Sequence, residues 1–241
     1  MTETGKNLLS TDIQINKNLP TLVSFVICPF VQRSVITFKT KNSPFDLIHI
    51  DLSEPPEWFI ELVPTAKVPA LLFNDDVLFE SAVINEYIDE NDGQRLQEKS
   101  HWERAQERAW INFVDELIFD QYAMLIASNE KDYEIEKDKF ISKLLILGNK
   151  TGKQYFSNDS FGLLDAAAAP VFTRLMLTPS IYEELKLKCN EQSDLINWIE
   201  NLIQLKAVKE SVVEDFEEQF FSYFDKLNSY IISKRENIIA A

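Results

Sequence analysis

Residues 21–33 read Thr21-Leu22-Val23-Ser24-Phe25-Val26-Ile27-Cys28-Pro29-Phe30-Val31-Gln32-Arg33. The first seven are mostly β-branched, aromatic or aliphatic, which is the pattern of a short buried strand. Cys28 and Pro29 punctuate its end. Proline suits the first position of a helix, where its missing N–H costs nothing. From Pro29 to Lys41 the apolar Val31, Val35 and Phe38 recur at i, i+4 and i+7, so this stretch reads as an amphipathic helix. Residues 45–51 form a second strand. Strand, helix and strand in that order make a βαβ unit, most economically with parallel strands and a right-handed crossover.

Working outward, Pro55-Pro56-Glu57-Trp58-Phe59 opens a short helix. Residues 68–73 and 77–79 straddle the polar Asn74-Asp75-Asp76 and read as a hairpin. A helix over 81–90 follows, with Val83, Ile84, Tyr87 and Ile88 on one face, so the order is βαβαββα. The polar Asn91-Asp92-Gly93-Gln94 is the expected linker. Beyond it the pattern is helical only, over 101–128, 130–147, 162–177, 193–205 and 211–233, with a further helix ending near Cys189. The helix over 101–128 carries two apolar stripes: Trp102, Ala105, Ala109, Phe113 and Leu117, and Trp110, Val114, Ile118 and Tyr122. A helix apolar on two sides is buried on two sides. The change of pattern predicts an N-terminal extension over 1–20, an α/β domain over 21–92 and an all-helical domain over 93–241.

Composition limits the partners. The 241 residues carry a net charge of −15, which the phosphates of a nucleic acid or an anionic membrane would repel. With 45% hydrophobic and 12% aromatic residues the chain is no disordered tail. Met1 to Pro20 holds Glu3, Lys6 and Asp12 and has no apolar signal core, and no run of about 18 apolar residues occurs. The two widely separated cysteines are no disulfide framework and suit a reducing compartment, so a cytoplasmic location is expected. His49, His101 and the two cysteines show no metal-ligand spacing, and no metal is expected.

The chemistry concentrates at Cys28. The N–H groups and partial positive charge of a helix start favour a thiolate, the attacking species of thiol chemistry. A cysteine can also be a small hydrophobe, but this junction, with proline directly after, favours reactivity. Val31 stands where a C-x-x-C motif has its second cysteine, so an external thiol must resolve any adduct. Nothing near Cys189 marks it as reactive, and it reads as an ordinary structural cysteine. Val68-Pro69 before a strand is compatible with a trans bond and leaves a cis bond open. Glu80-Ser81 reads either as a plain helix start or as a carboxylate site built of N–H groups and a hydroxyl.

Together these motifs resemble the glutathione transferases. Cys28-Pro29-Phe30-Val31-Gln32-Arg33 after a strand, Val68-Pro69 before a hairpin, Glu80-Ser81 opening a helix and Pro56-Glu57-Trp58-Phe59 are similar to the omega class and its bacterial relatives. Gly162-Leu163-Leu164-Asp165, with Pro170 inside the helix, resembles that family's buried helix start. The resemblance implies a thioredoxin-like domain followed by a helical domain. It also implies glutathione as co-substrate and Cys28 as the nucleophile forming a mixed disulfide with it. The Val68 backbone before a cis Pro69 would pair with the tripeptide, and Glu80 and Ser81 would hold its γ-glutamyl end. Phe30 and Leu52 match positions lining that site. Where the omega pattern has lysine before Pro-Glu-Trp-Phe this chain has Pro55, a loss Lys67 could offset. At the buried helix start Gly162 replaces the usual Ser or Thr, a mild change because glycine caps nearly as well.

An acceptor pocket is expected between the domains, with Trp110, Tyr122 and Phe172 as candidates and Phe220 and Phe224 beside them, although aromatics at helical spacing also read as core. The acceptor would be a small electrophile, a disulfide or an oxidised compound such as dehydroascorbate. The resemblance further implies a homodimer. Two other readings share the motifs. Stringent-starvation proteins have this fold and bind RNA polymerase without using glutathione. Chloride intracellular channel proteins begin with a similar Cys-Pro-Phe-x-Gln-Arg, but here the run after Pro29 is too short and too charged to span a bilayer.

Overall fold

A computed structural model describes residues 18–91, 93–152, 154–157, 160–189 and 193–235. Most of the expected N-terminal extension, residues 1–17, and Asp92 of the expected linker lie outside them. The chain divides into two units between Gln94 and Arg95.

The first unit holds β1 (Thr21–Ser24), α1 (Pro29–Lys41), β2 (Asp46–His49), α2 (Glu57–Leu62), β3 (Ala70–Phe73), β4 (Asp76–Phe79) and α3 (Ser81–Asn91). The sheet order is β2-β1-β3-β4; β1 and β2 are parallel, and the other pairs are antiparallel. This is the expected βαβαββα, a thioredoxin-like arrangement. Successive strand residues face opposite sides. Leu22 and Leu71 therefore pack with Val31, Val35 and Phe38 of α1 and Ile84 and Ile88 of α3. Val23, Ala70 and Leu72 pack on the other side with Phe59 and Val63.

Three local expectations change. β1 stops at Ser24, short of the apolar run, because the chain turns and the Cys28 N–H donates to the Phe25 carbonyl at 2.9 Å. The hairpin turn is tighter than expected: Asn74 and Asp75 take φ of 53° and 62°, a two-residue turn of the I′ kind, and Asp76 already pairs with Phe73. Finally, α1 is not amphipathic in use. Gln32, Arg33, Ser34 and Thr37 are buried along with Val31, Val35 and Phe38.

The second unit is all helical: α4 (His101–Ile126), α5 (Glu130–Gly148), α6 (Leu163–Leu175), α7 (Pro179–Cys189), α8 (Asp194–Gln204), α9 (Lys206–Lys209), α10 (Phe216–Lys226) and α11 (Tyr230–Ser233). α4 opens on a capping box in which the Glu103 N–H donates to Ser100 Oγ and the Ser100 N–H donates to Glu103 Oε2. Its later turns bury Val114, Leu117 and Ile118, but Trp102 at its start is 72% exposed and Ala105 and Ala109 are exposed too. The first apolar stripe is therefore mostly open in the single chain. α6 is almost wholly buried and runs through Pro170 to Leu175. The single helix expected over 211–233 is divided, because Asn228 takes φ of 57° and Ser229 restarts the chain by capping the Ile232 N–H. Among the described residues no helix is long and apolar enough to cross a membrane.

Candidate active site

The strand register gathers the sequence motifs at one end of the sheet. β1 runs toward that end at Ser24, and Cys28 lies just beyond. Val23 pairs with the antiparallel Ala70, so Val68 and Pro69, which precede Ala70, project past the same end. Ala70 pairs in turn with Phe79, which brings Glu80 and Ser81 there as well. Ser24 pairs with the parallel His49, so Leu52 follows at the same end. From β1 to β4 is two strand spacings, about 10 Å, the length of about three extended residues.

Cys28 is the N-cap of α1, with Pro29 at the first helical position. Its side chain caps no backbone N–H, and no acidic side chain stands in the helix's first turn. Cys28 is in no disulfide and is partly buried against the apolar cluster beneath α1 and α3. The dipole of a 13-residue helix therefore meets a sulfur and not a carboxylate of its own first turn.

The Val68–Pro69 bond is cis. Lys67 beside it is exposed, Val68 is half-buried and Leu52 is 38% exposed. Glu80 is exposed and takes φ of 68°, a left-handed conformation uncommon for a residue with a Cβ. That strained residue turns the chain directly from β4 into α3. Ser81 opens α3 and is only 5% exposed.

Sequence reasoning gave Arg33 no role. In the structure it is 2% exposed, and Nε and Nη2 donate to Ser81 Oγ at 2.9 and 2.6 Å. Its Cζ lies 4.8 Å from the Phe30 ring centroid. The available signal was a charged residue in a helix whose other faces are needed for packing; the amphipathic reading sent it to solvent.

The acceptor-side candidates are scattered over the second unit. Phe172 is fully buried, edge-on to Trp198 with centroids 4.9 Å apart, and is a core residue and not a pocket wall. Phe220 and Phe224 are buried against each other at 4.8 Å and belong to the core for the same reason. Trp110 packs against Phe113 and Phe156 and lines a cleft of about 230 Å³ with Lys99, Glu107 and Asp165. Tyr122 is 40% exposed, and its hydroxyl meets that of Tyr223 at 3.3 Å.

A thioredoxin-like unit with a cysteine at the start of its first helix, a cis proline before β3 and a helical second unit define a glutathione-transferase fold. Residues 27–91 match the family model for the glutathione S-transferase N-terminal domain. The chain is 30% identical over 197 residues to glutathione S-transferase U2 of Arabidopsis thaliana, covering 79% of this chain and 87% of that one. It belongs to the glutathione S-transferase family. Among solved structures it resembles the tau class enzyme MiGSTU from mango, Mangifera indica, with a TM-score of 0.72 and 24% identity over 89% of this chain and all of that one. It also resembles glutathione transferase Omega 3C from Trametes versicolor, with a TM-score of 0.71 and 20% identity over 83% of this chain and 91% of that one.

Proposed function

We propose that this protein is a glutathione-dependent thiol transferase of the omega type, working through a mixed disulfide on Cys28. The observation that carries the reading is a cysteine at the N-cap of α1, with no acid in the first turn, at the sheet end that also bears Val68 and Ser81. The Cys28 thiolate attacks the glutathione sulfur of a glutathionylated acceptor. A Cys28–glutathione disulfide forms, the acceptor's disulfide breaks, and the acceptor leaves as a thiolate that takes up a proton. A second glutathione thiolate then attacks the bound glutathione sulfur, releasing glutathione disulfide and the Cys28 thiolate. The extended tripeptide pairs with the Val68 backbone beside Pro69, and its γ-glutamyl carboxylate meets Ser81 and the N–H groups opening α3. Phe30, Leu52, Lys67 and Glu80 line the same end. Trp110 and Tyr122 remain the acceptor-side candidates. A reducing compartment such as the cytoplasm keeps the thiol available.

The test is intact mass after exposure to glutathione disulfide. One glutathione is expected on Cys28, removed by excess reduced glutathione; an adduct on Cys189 with Cys28 unmodified would overturn the mechanism. The S-transferase relatives favour a second reading, conjugation of glutathione to an electrophile. A cysteine here is captured as a disulfide, so turnover of a small disulfide should exceed that of 1-chloro-2,4-dinitrobenzene. Retention on immobilised glutathione separates both readings from a binding module that does not use glutathione. The open first stripe of α4, with Trp102 72% exposed, suits contact with a second copy. Sedimentation at micromolar concentration should therefore give twice the 27.9 kDa of the chain, and a monomer would remove that contact.

A further inference from the structure

We infer that Arg33 is a positioning residue that makes the Ser81 hydroxyl an obligate donor to the ligand's carboxylate. The inference rests on the reading of this sheet end as a glutathione site. A serine hydroxyl has two acceptor positions and one hydrogen to give. Arg33 Nε and Nη2 donate to Ser81 Oγ at 2.9 and 2.6 Å, so both acceptor positions are taken. The bonding capacity left to Ser81 is its hydrogen, and only an acceptor can satisfy it. A hydroxyl that accepts from a cation is also a more polarised donor. With Arg33 2% exposed and Ser81 5% exposed, little water screens this effect.

The geometry needs arginine. Two neighbouring N–H groups of one rigid fork converge on a single oxygen, which the point charge of lysine cannot reproduce. The guanidinium also lies 4.8 Å from the centroid of Phe30, two residues after Cys28. Arg33 therefore ties the first turn of α1 to the first turn of α3. Without it, the Ser81 hydroxyl can rotate and turn a lone pair toward the incoming carboxylate.

A mere strut between α1 and α3 would affect every ligand alike, so the readout must be selective. The discrimination between glutathione and an analogue whose γ-glutamyl α-carboxylate is an amide is measured by calorimetry on the full chain. The wild type should prefer glutathione by at least about tenfold, the scale of one charge-assisted hydrogen bond. In Arg33→Lys the preference should collapse toward one, as in Ser81→Ala, and the double variant should lose no more than Ser81→Ala. The rate of Cys28 with 2,2′-dithiodipyridine, which has no carboxylate, should stay within about twofold. Arg33→Gln, which keeps a neutral NH2 donor but not the charged fork, should fall between, and it serves if Arg33→Lys does not fold. An unchanged preference in a folded Arg33 variant, additive losses in the double variant, or an equal loss of dithiodipyridine reactivity would overturn the inference while leaving the glutathione site intact. A wild type that binds no glutathione would overturn both.

Discussion

Two helix starts in this molecule, one in each unit, are built in opposite ways. α1 begins at Cys28, whose side chain caps nothing, with no acidic residue in the first turn. α6 begins at Gly162 and is closed by its own chain. Asp165 accepts from the Gly162 N–H at 2.8 Å, the Phe156 N–H at 2.9 Å and the Trp198 Nε1–H at 2.7 Å. Both helix starts offer positive potential. In α6 it is neutralised by a carboxylate that is 1% exposed, which gives stability and no chemistry. In α1 it is left to a sulfur near the surface, which on the proposed reading gives chemistry and little stability. A helix start can serve as a keystone or as a reactive site, and the difference lies in whether its own sequence supplies the anion.

Removing each key side chain should separate the two roles. Cys28→Ser is expected to lose the glutathione adduct and thiol transfer completely while unfolding in urea near the wild-type midpoint; activity that survives the substitution would end the comparison. Asp165→Ala should do the reverse. It leaves three donors without their acceptor, and a loss of about 3–5 kcal/mol in unfolding free energy is expected, with Cys28 still reactive in the folded fraction.

The same carboxylate sets a pH signature. Burial pushes the Asp165 carboxyl from 3.8 up to about 6, against the pull of its three donors. The folded state then holds its proton more tightly than the unfolded chain. This group's contribution is greatest below about pH 4, declines as pH rises to about 6, and is level above. Urea titrations across that window should show the decline in the wild type and not in Asp165→Asn. A wild-type contribution that rises across the window would show that the donors outweigh burial.

Smaller effects sharpen the contrast. Ser81→Ala should weaken glutathione binding by about 1.5–3 kcal/mol, the worth of one hydrogen bond to a charged group, with the fold unchanged. Gly162→Ser is the smallest. It adds a hydroxyl cap, but a Cβ there would meet the Gln97 side chain at 2.8 Å, and that amide donates to Ser157 Oγ at 2.9 Å and to the Ser160 carbonyl. Gain and loss nearly offset, so a change within about 1 kcal/mol is expected by urea denaturation; a larger loss would make Gln97 part of the keystone.

Much of the first unit could be read from local pattern. Pro29 at a helix start, the i, i+4, i+7 spacing of Val31, Val35 and Phe38, and turn residues between two apolar runs each act over a few neighbours. The resemblance of Cys28-Pro29-Phe30 and Val68-Pro69 to a known family supplied what pattern alone left open, including the cis bond. The break between α10 and α11 was missed although Asn228 tolerates a left-handed turn and Ser229 is a ready helix cap, because the apolar spacing continues across it. Phe172 was misread because periodicity says that an aromatic faces one side of a helix but not whether that side meets Trp198 or a solvent-filled pocket.

The sequence by itself therefore determined the order of elements, the thiol at the start of α1 and a net charge of −15. These depend on residue type, spacing and net charge, which act locally or sum over the chain. The tertiary structure alone decided which polar side chains are buried and what they bond. Arg33 and Ser81 are 48 positions apart, and only the packing of α1 beside α3 on one face of the sheet brings guanidinium and hydroxyl together. Asp165 and Trp198 are 33 positions apart and meet only when α6 and α8 pack. Hydrogen bonds are short-ranged and directional, so their partners follow from the three-dimensional arrangement and not from neighbours in the chain.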